Sequence, residues 1–125
     1  MTRRDTSQQR VIRHTIEEAG RPLSIKEVHE IATLDSPSIG LRTVYRIIKR
    51  LLEDQVITPV SLIGQSDRYE LAEVADSHHH HFHCTNCDRV FDVKGCPGRL
   101  DRMVPNGFLL EGHEITLNGL CKACA

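Results

Sequence analysis

Leu41-Arg-Thr-Val-Tyr-Arg-Ile-Ile-Lys-Arg-Leu-Leu52 is the stretch on which the fold of the first half of this chain turns. At the helical period, Arg42, Arg46, Lys49 and Arg50 fall within an arc of about 100°. Leu41, Val44, Ile47, Ile48, Leu51 and Leu52 take the opposite side, and Tyr45 stands at the border of the basic arc. No acid interrupts from Ser36 to Leu52. The segment therefore reads as a helix packed through one face and cationic on the other.

Its neighbours give it a context. Upstream, Val11, Ile12, Ile16 and Ala19 recur at helical spacing over Ser7–Ala19, and Gly20 followed by Pro22 stops that helix. Ser24-Ile-Lys-Glu27 is a capping box that starts a second helix reaching about Leu34, and Asp35-Ser-Pro-Ser38 is a turn. Downstream, Val56–Ile63 and Arg68–Leu71 are strand-like and are joined by a Gly64-Gln-Ser-Asp67 turn. Three helices followed by a hairpin is the order of a winged helix. In that fold the third helix can enter the major groove, where arginine offers a bidentate fork to guanine and lysine neutralises phosphate. Arg42, Arg46, Lys49 and Arg50 are the candidate contacts, and Arg3 and Arg4 are a candidate arm. An ordinary solvated basic face is the competing reading. His14 is expected to face solvent, and His29 to be a packing residue rather than a ligand.

Composition changes abruptly after residues 72–77, which read as a hinge. The predicted organisation is a winged helix over residues 1–73, a hinge over 74–77 and a second small α/β domain over 78–125, an α+β chain overall. In the second domain Arg89–Val93 and Glu114–Leu117 look like strands, with a short helix around Arg99–Val104. His78-His-His-His-Phe-His83 runs directly into Cys84-Thr-Asn-Cys87, and Cys121-Lys-Ala-Cys124 forms a second knuckle after a gap of 33 residues. Two such pairs can supply four thiolates to one tetrahedral ion. That predicts structural zinc on Cys84, Cys87, Cys121 and Cys124, with no position left for substrate; a redox pair and unrelated thiols are the rivals. On an extended strand alternate residues face opposite sides. His79 and His81 then point one way and His78 and His80 the other, so one strand could serve two further metal sites. Glu70, Glu73, Asp92 and His113 lie within sequence reach, and mixed nitrogen and oxygen ligation suits zinc, ferrous iron or manganese. His83 has no assigned role.

Totals narrow the function classes. With 39% hydrophobic but only 4% aromatic residues among 125, neither half buries a large core, so metal or oligomerisation is expected to add stability. The net charge of −1 conceals ten Lys/Arg against six Asp/Glu in residues 1–52, and one against six in residues 53–76. It is the local field that a polyanion would meet. No secretory signal and no apolar run of membrane-spanning length is recognisable, so a cytoplasmic protein without membrane contact is expected. In that compartment, five cysteines and eight histidines suggest metal before disulfides.

Gly40-Leu-Arg-Thr-Val-Tyr-Arg46, Tyr69-Glu-Leu71, the run from His78 to Cys87 and Gly112-His-Glu-Ile-Thr-Leu-Asn-Gly-Leu-Cys-Lys-Ala-Cys124 together resemble the ferric uptake regulator family over nearly the whole chain. The resemblance implies a homodimeric repressor that binds a palindromic double-stranded operator when loaded with metal, reading it with the helix that carries Thr43, Tyr45 and Arg46. It maps the family's hinge sensor site onto Glu70, His79, His81 and Asp92. A second site maps onto His78, His80, His113 and the position held here by Cys96. Two departures bear on the metal. Iron and peroxide sensors of the family often use a histidine just before the second helix, where this chain has Pro22. Iron regulators usually carry an acid at Cys96, whereas Cys96-Pro97 looks like some zinc uptake regulators, and a thiolate favours zinc over ferrous iron. Zinc sensing is the first expectation, with iron or peroxide sensing as the alternative within the family. A zinc hydrolase or deaminase is disfavoured, because neither His-Glu-x-x-His nor Pro-Cys-x-x-Cys with an upstream His-x-Glu occurs. A metal-storage or chaperone module remains a rival, but it needs no basic recognition helix; the regulator is expected to have no small-molecule substrate.

Overall fold

The computed structural model describes residues 6–75 and 79–125; Arg3, Arg4 and His78 lie outside the described residues. The chain divides into two compact units, Met1–Ser77 and His78–Ala125. In the first unit, α1 spans Ser7–Ala19, α2 Ile25–Asp35 and α3 Leu41–Glu53. Thr6 caps α1 by accepting from the Gln9 N–H at 3.1 Å. Gly20 closes the helix at φ +66°, a left-handed conformation in which any side chain would be strained. The capping box of α2 forms in both directions: Glu27 N–H donates to Ser24 Oγ at 3.2 Å and Ser24 N–H to Glu27 Oε1 at 3.1 Å.

Strands β1 (Ile57–Val60) and β2 (Arg68–Leu71) pair antiparallel. The first is shorter than the expected Val56–Ile63. Pro59 lies opposite Tyr69, whose N–H and C=O instead exchange hydrogen bonds with Leu23 at 2.8 and 3.0 Å. Tyr69 needs nothing from Pro59, which is where a strand tolerates a residue without an N–H. The strand ends one residue later, at Val60, and a turn with Gly64 at φ +75° follows. Buried Arg68 holds this turn by donating to the Ser66 carbonyl at 2.6 Å. A short helical turn, α4 (Ala72–Ala75), occupies the start of the segment expected to be a hinge.

Ile12, Ile16, Leu23, Val28, Ala32, Ile39, Val44, Ile48, Leu51 and Ile57 form the core, with α3 contributing its whole apolar face except its first residue. Leu41, expected on that face, is 45% exposed. It lies in the first turn, ahead of the point where α3 meets its neighbours. Leu51 is fully buried at the centre. Leu51→Ala is expected to lower stability by about 2–5 kcal/mol, the range for a buried leucine whose cavity relaxes only partly. Urea titration of the full chain followed by far-ultraviolet circular dichroism measures it, and an unchanged midpoint would mean that Leu51 is not a core residue.

In the second unit β3 (His80–Cys84) lies between β4 (Val90–Val93), antiparallel, and β5 (Thr116–Gly119), parallel. The last strand sits two residues beyond the expected Glu114–Leu117. Its register matches His81 to Thr116 and Cys84 to Gly119, which delivers the chain at once to Cys121. Gly119 suits this register, since a Cβ there would stand 3.2 Å from Phe82 Cζ. The helix expected over Arg99–Val104 is a single 3-10 turn, Leu100–Arg102, preceded by Arg99 in the left-handed region and lacking a side-chain cap.

Candidate metal centres and nucleic-acid surface

A first donor set is built where β3 ends and β5 runs out. Cys84 closes β3, Cys87 follows a two-residue turn, and Cys121 and Cys124 follow β5. The four sulfurs all lie within 4.8 Å of one another and none is in a disulfide. Cys87 Sγ and Cys121 Sγ are 3.8 Å apart. A tetrahedron with zinc–sulfur bonds of about 2.3 Å has edges of about 3.8 Å, so the donor set fits structural zinc. N–H groups converge on the sulfurs. Cys87 and Cys121 N–H donate to Cys84 Sγ at 3.5 and 3.4 Å, and Asn86 Nδ2 donates to Cys124 Sγ at 3.3 Å. Four thiolates around a divalent ion leave net negative charge, which such donors stabilise. The same bonds, that of Cys87 first and that of Cys121 second, hold the Cys84 thiol down to about 6. At Cys87 the Arg89 N–H also lowers the value, but burial and the neighbouring sulfurs outweigh it and push the thiol up to about 11. Of these two thiols, Cys84 is the one that gives up its proton more readily to bind a cation.

A second set forms across β3 and β4. His81 and Asp92 are directly opposed in the antiparallel ladder, so their side chains share a face. His79, two residues earlier, joins them. His79 Nε2 and His81 Nε2 stand 3.2 and 3.4 Å from the same Asp92 oxygen, and the imidazole centroids are 5.0 Å apart at 71°. Two imidazoles converging on one carboxylate oxygen is a geometry that a shared divalent cation would complete. Glu70 belongs to the first unit, where it is buried on β2 opposite Thr58; Glu73 is exposed on α4.

The third set uses the other face of β3. His80 is 4% exposed, and its Nδ1 accepts from the Ile115 N–H at 3.2 Å. The His113 ring lies 5.1 Å away, and His113 Nε2 is 3.1 Å from Cys96 Sγ. The structure thus brings together His80, Cys96 and His113; His78, expected beside them, is among the undescribed residues.

On α3, Arg42, Tyr45, Arg46 and Lys49 are exposed, Thr43 and Arg50 are half-buried, and Val44, Ile47, Ile48 and Leu51 are buried. Arg50 differs from the other cations in having its Nε shielded from solvent. His14 is exposed and His29 half-buried. Two polar groups around the first knuckle escaped sequence reasoning. Asn86 bonds a cysteine of the other knuckle, and His83 Nε2 meets Asp88 Oδ1 at 2.6 Å. The signal for the second was a histidine immediately before, and an aspartate immediately after, the two-cysteine turn.

Comparison with known proteins agrees with this architecture. The profile of the Ferric uptake regulator family matches residues 2–118. The ferric uptake regulation protein of Bordetella parapertussis is 32% identical over 108 residues, covering 83% of this chain and 76% of that protein. That of Bacillus subtilis is 28% identical over 117 residues, covering 90% and 78%. Among solved structures, a zinc-bound manganese uptake regulator superposes with a TM-score of 0.81 at 26% identity, over 95% of this chain and 91% of that one. The Helicobacter pylori ferric uptake regulator shares the fold, with a TM-score of 0.70 at 23% identity over 97% and 81%. The chain belongs to the ferric uptake regulator family of metal-responsive transcriptional regulators.

Proposed function

We propose that this protein is a zinc-responsive repressor that binds a palindromic operator as a homodimer in the cytoplasm. The observation that carries the zinc assignment is Cys96, whose thiol lies 3.1 Å from His113 in a set with His80. A sulfur and two imidazoles are softer than the oxygen-rich sets that suit manganese, and thiolate favours zinc over ferrous iron. The names of the relatives favour iron or manganese instead, which makes ferrous iron the reading to test against.

The proposed switch is a two-state hinge at residues 74–77. Glu70 before it and His79, His81 and Asp92 after it would be tied together when the sensory ion is present, fixing one orientation of the winged helix. DNA then binds without the cost of that ordering, and the shift is limited by the differential affinity of the site for the two states. Structural zinc on Cys84, Cys87, Cys121 and Cys124 would keep the second unit folded throughout. In the dimer, two recognition helices would reach half-sites about 34–36 Å apart. Arg42, Thr43, Tyr45, Arg46, Lys49 and Arg50 are the proposed contacts; Arg42, Tyr45, Arg46 and Lys49 are exposed on α3, and Thr43 and Arg50 are half-buried. The test is operator binding at buffered free zinc, ferrous iron and manganese, using duplexes selected from a random pool. Response to ferrous iron at physiological concentration, without response to zinc, would overturn the zinc assignment.

The same assay examines α3. Arg46→Ala is expected to weaken binding by about 1–3 kcal/mol and relax preference at one position of each half-site. Lys49→Ala should weaken all sequences alike and flatten the salt dependence. Parental affinity in both variants would mean that α3 is not the reader.

A further inference from the structure

We infer that His83 and Asp88 form a clamp that holds Cys84 and Cys87 in metal-binding geometry, an inference that rests on the four-thiolate zinc reading above. His83 immediately precedes the first thiol and Asp88 immediately follows the second. Their side chains close the turn at 2.6 Å, Nε2 donating to Oδ1. The backbone is folded to allow it. Asp88 N–H donates to the Cys84 carbonyl and Cys84 N–H to the Arg89 carbonyl, both at 2.9 Å. Asp88 itself adopts φ +64°, a left-handed conformation that aspartate and asparagine tolerate better than other side chains.

The two ends of the clamp differ. The His83 side chain is 11% exposed and sits against the sheet, whereas that of Asp88 is 66% exposed. His83 is thus the fixed post, set by β3, and Asp88 the arm that the turn swings onto it. Neither side chain belongs to the four-sulfur set, so the clamp acts through the backbone positions of the two cysteines. Closing the turn in advance removes freedom that the thiols would otherwise lose on meeting the ion. It also resists the local opening through which a bound ion escapes. The second knuckle, Cys121 to Cys124, is braced differently, by Asn86 reaching across to Cys124 Sγ.

The test uses the full zinc-loaded chain and the chromogenic chelator 4-(2-pyridylazo)resorcinol. His83→Ala and Asp88→Ala should release zinc about tenfold faster than the parent, the lower end of the effect of outer-shell groups on metal affinity. Asp88→Asn keeps an acceptor and tolerates the left-handed backbone, so it should return the rate close to parental. The acceleration should be independent of urea below the unfolding transition, because a local opening exposes little surface. In the cobalt-loaded variants the sulfur-to-cobalt charge-transfer band should persist, since all four thiolates remain. Parental release rates in both alanine variants would overturn the clamp. So would an acceleration that rises with urea in step with global unfolding, since the pair would then be only a contribution to fold stability. A parent chain that purifies without zinc fails the four-thiolate reading itself, whereas a zinc-holding parent with unaffected variants fails the clamp alone.

Discussion

Cys121→Ser is expected to deprive the second unit of both its zinc and its fold. Cys121 Sγ lies 3.8 Å from Cys87 Sγ, and the Cys121 N–H donates to Cys84 Sγ, so this one residue touches both members of the opposite knuckle. The unit has little else to hold it. Among the described residues its buried apolar side chains are Cys84, Val90 and Cys121, two of which are themselves proposed ligands. Structural zinc contributes on the order of 10–16 kcal/mol in zinc-finger peptides at neutral pH, more than the whole stability of an ordinary domain. Serine is a far poorer ligand than thiolate, and three remaining sulfurs leave the shell open. The parent should carry about one zinc per chain after purification without added metal, and the variant should carry none and lose the strand signal of its second unit. Atomic absorption and amide exchange measure the two. A well-folded variant free of zinc would overturn the structural role.

His79→Ala is the second change with a large expected effect, and it should act on signalling while sparing the fold. His79 and His81 both address one oxygen of Asp92, and removing either leaves the proposed sensory set with a single imidazole. The coupling between metal and DNA, of the order of 5–150-fold in ordinary allosteric proteins, should fall to none in either variant. Cys96→Ser and His113→Ala should be milder, lowering the metal response without removing it, because their set lies wholly within the second unit. Titrating each variant with zinc and ferrous iron, scored by operator binding, decides the division. Equal loss from His79→Ala and His113→Ala would reject it.

The first unit was legible because its signals are local. Gly20, the Ser24–Glu27 capping box and the amphipathic period of α3 each act within a few residues, and the helices begin and end close to where those signals stand. The strands were less well bounded, because their limits are set by partners distant in sequence. β1 extends only as far as β2 opposes it, from Ile57 to Val60, and β5 takes its register from β3. Among the candidate sites, the grouping of four cysteines followed from spacing, and the separation of His79 and His81 from His80 followed from strand parity. The place of Cys96 beside His113 came from family resemblance alone, since the connection between β4 and β5 has no periodicity that would locate it. The His83–Asp88 contact depends on a left-handed backbone at Asp88, a conformation that aspartate tolerates but does not by itself specify.

The central position of β3 limits how this sequence can vary. His81 and its neighbour His79 serve one face, His80 serves the other, and Cys84 stands at the end of the same strand. Side chains alternate strictly along a strand, so losing one residue between His81 and Cys84 would turn every upstream donor to the wrong side. Point replacements from His79 to His81 change one proposed ligand at a time and leave the other sets in place. The segment from His79 to His83 can therefore vary in composition, but the segment from His79 to Cys84 cannot vary in length.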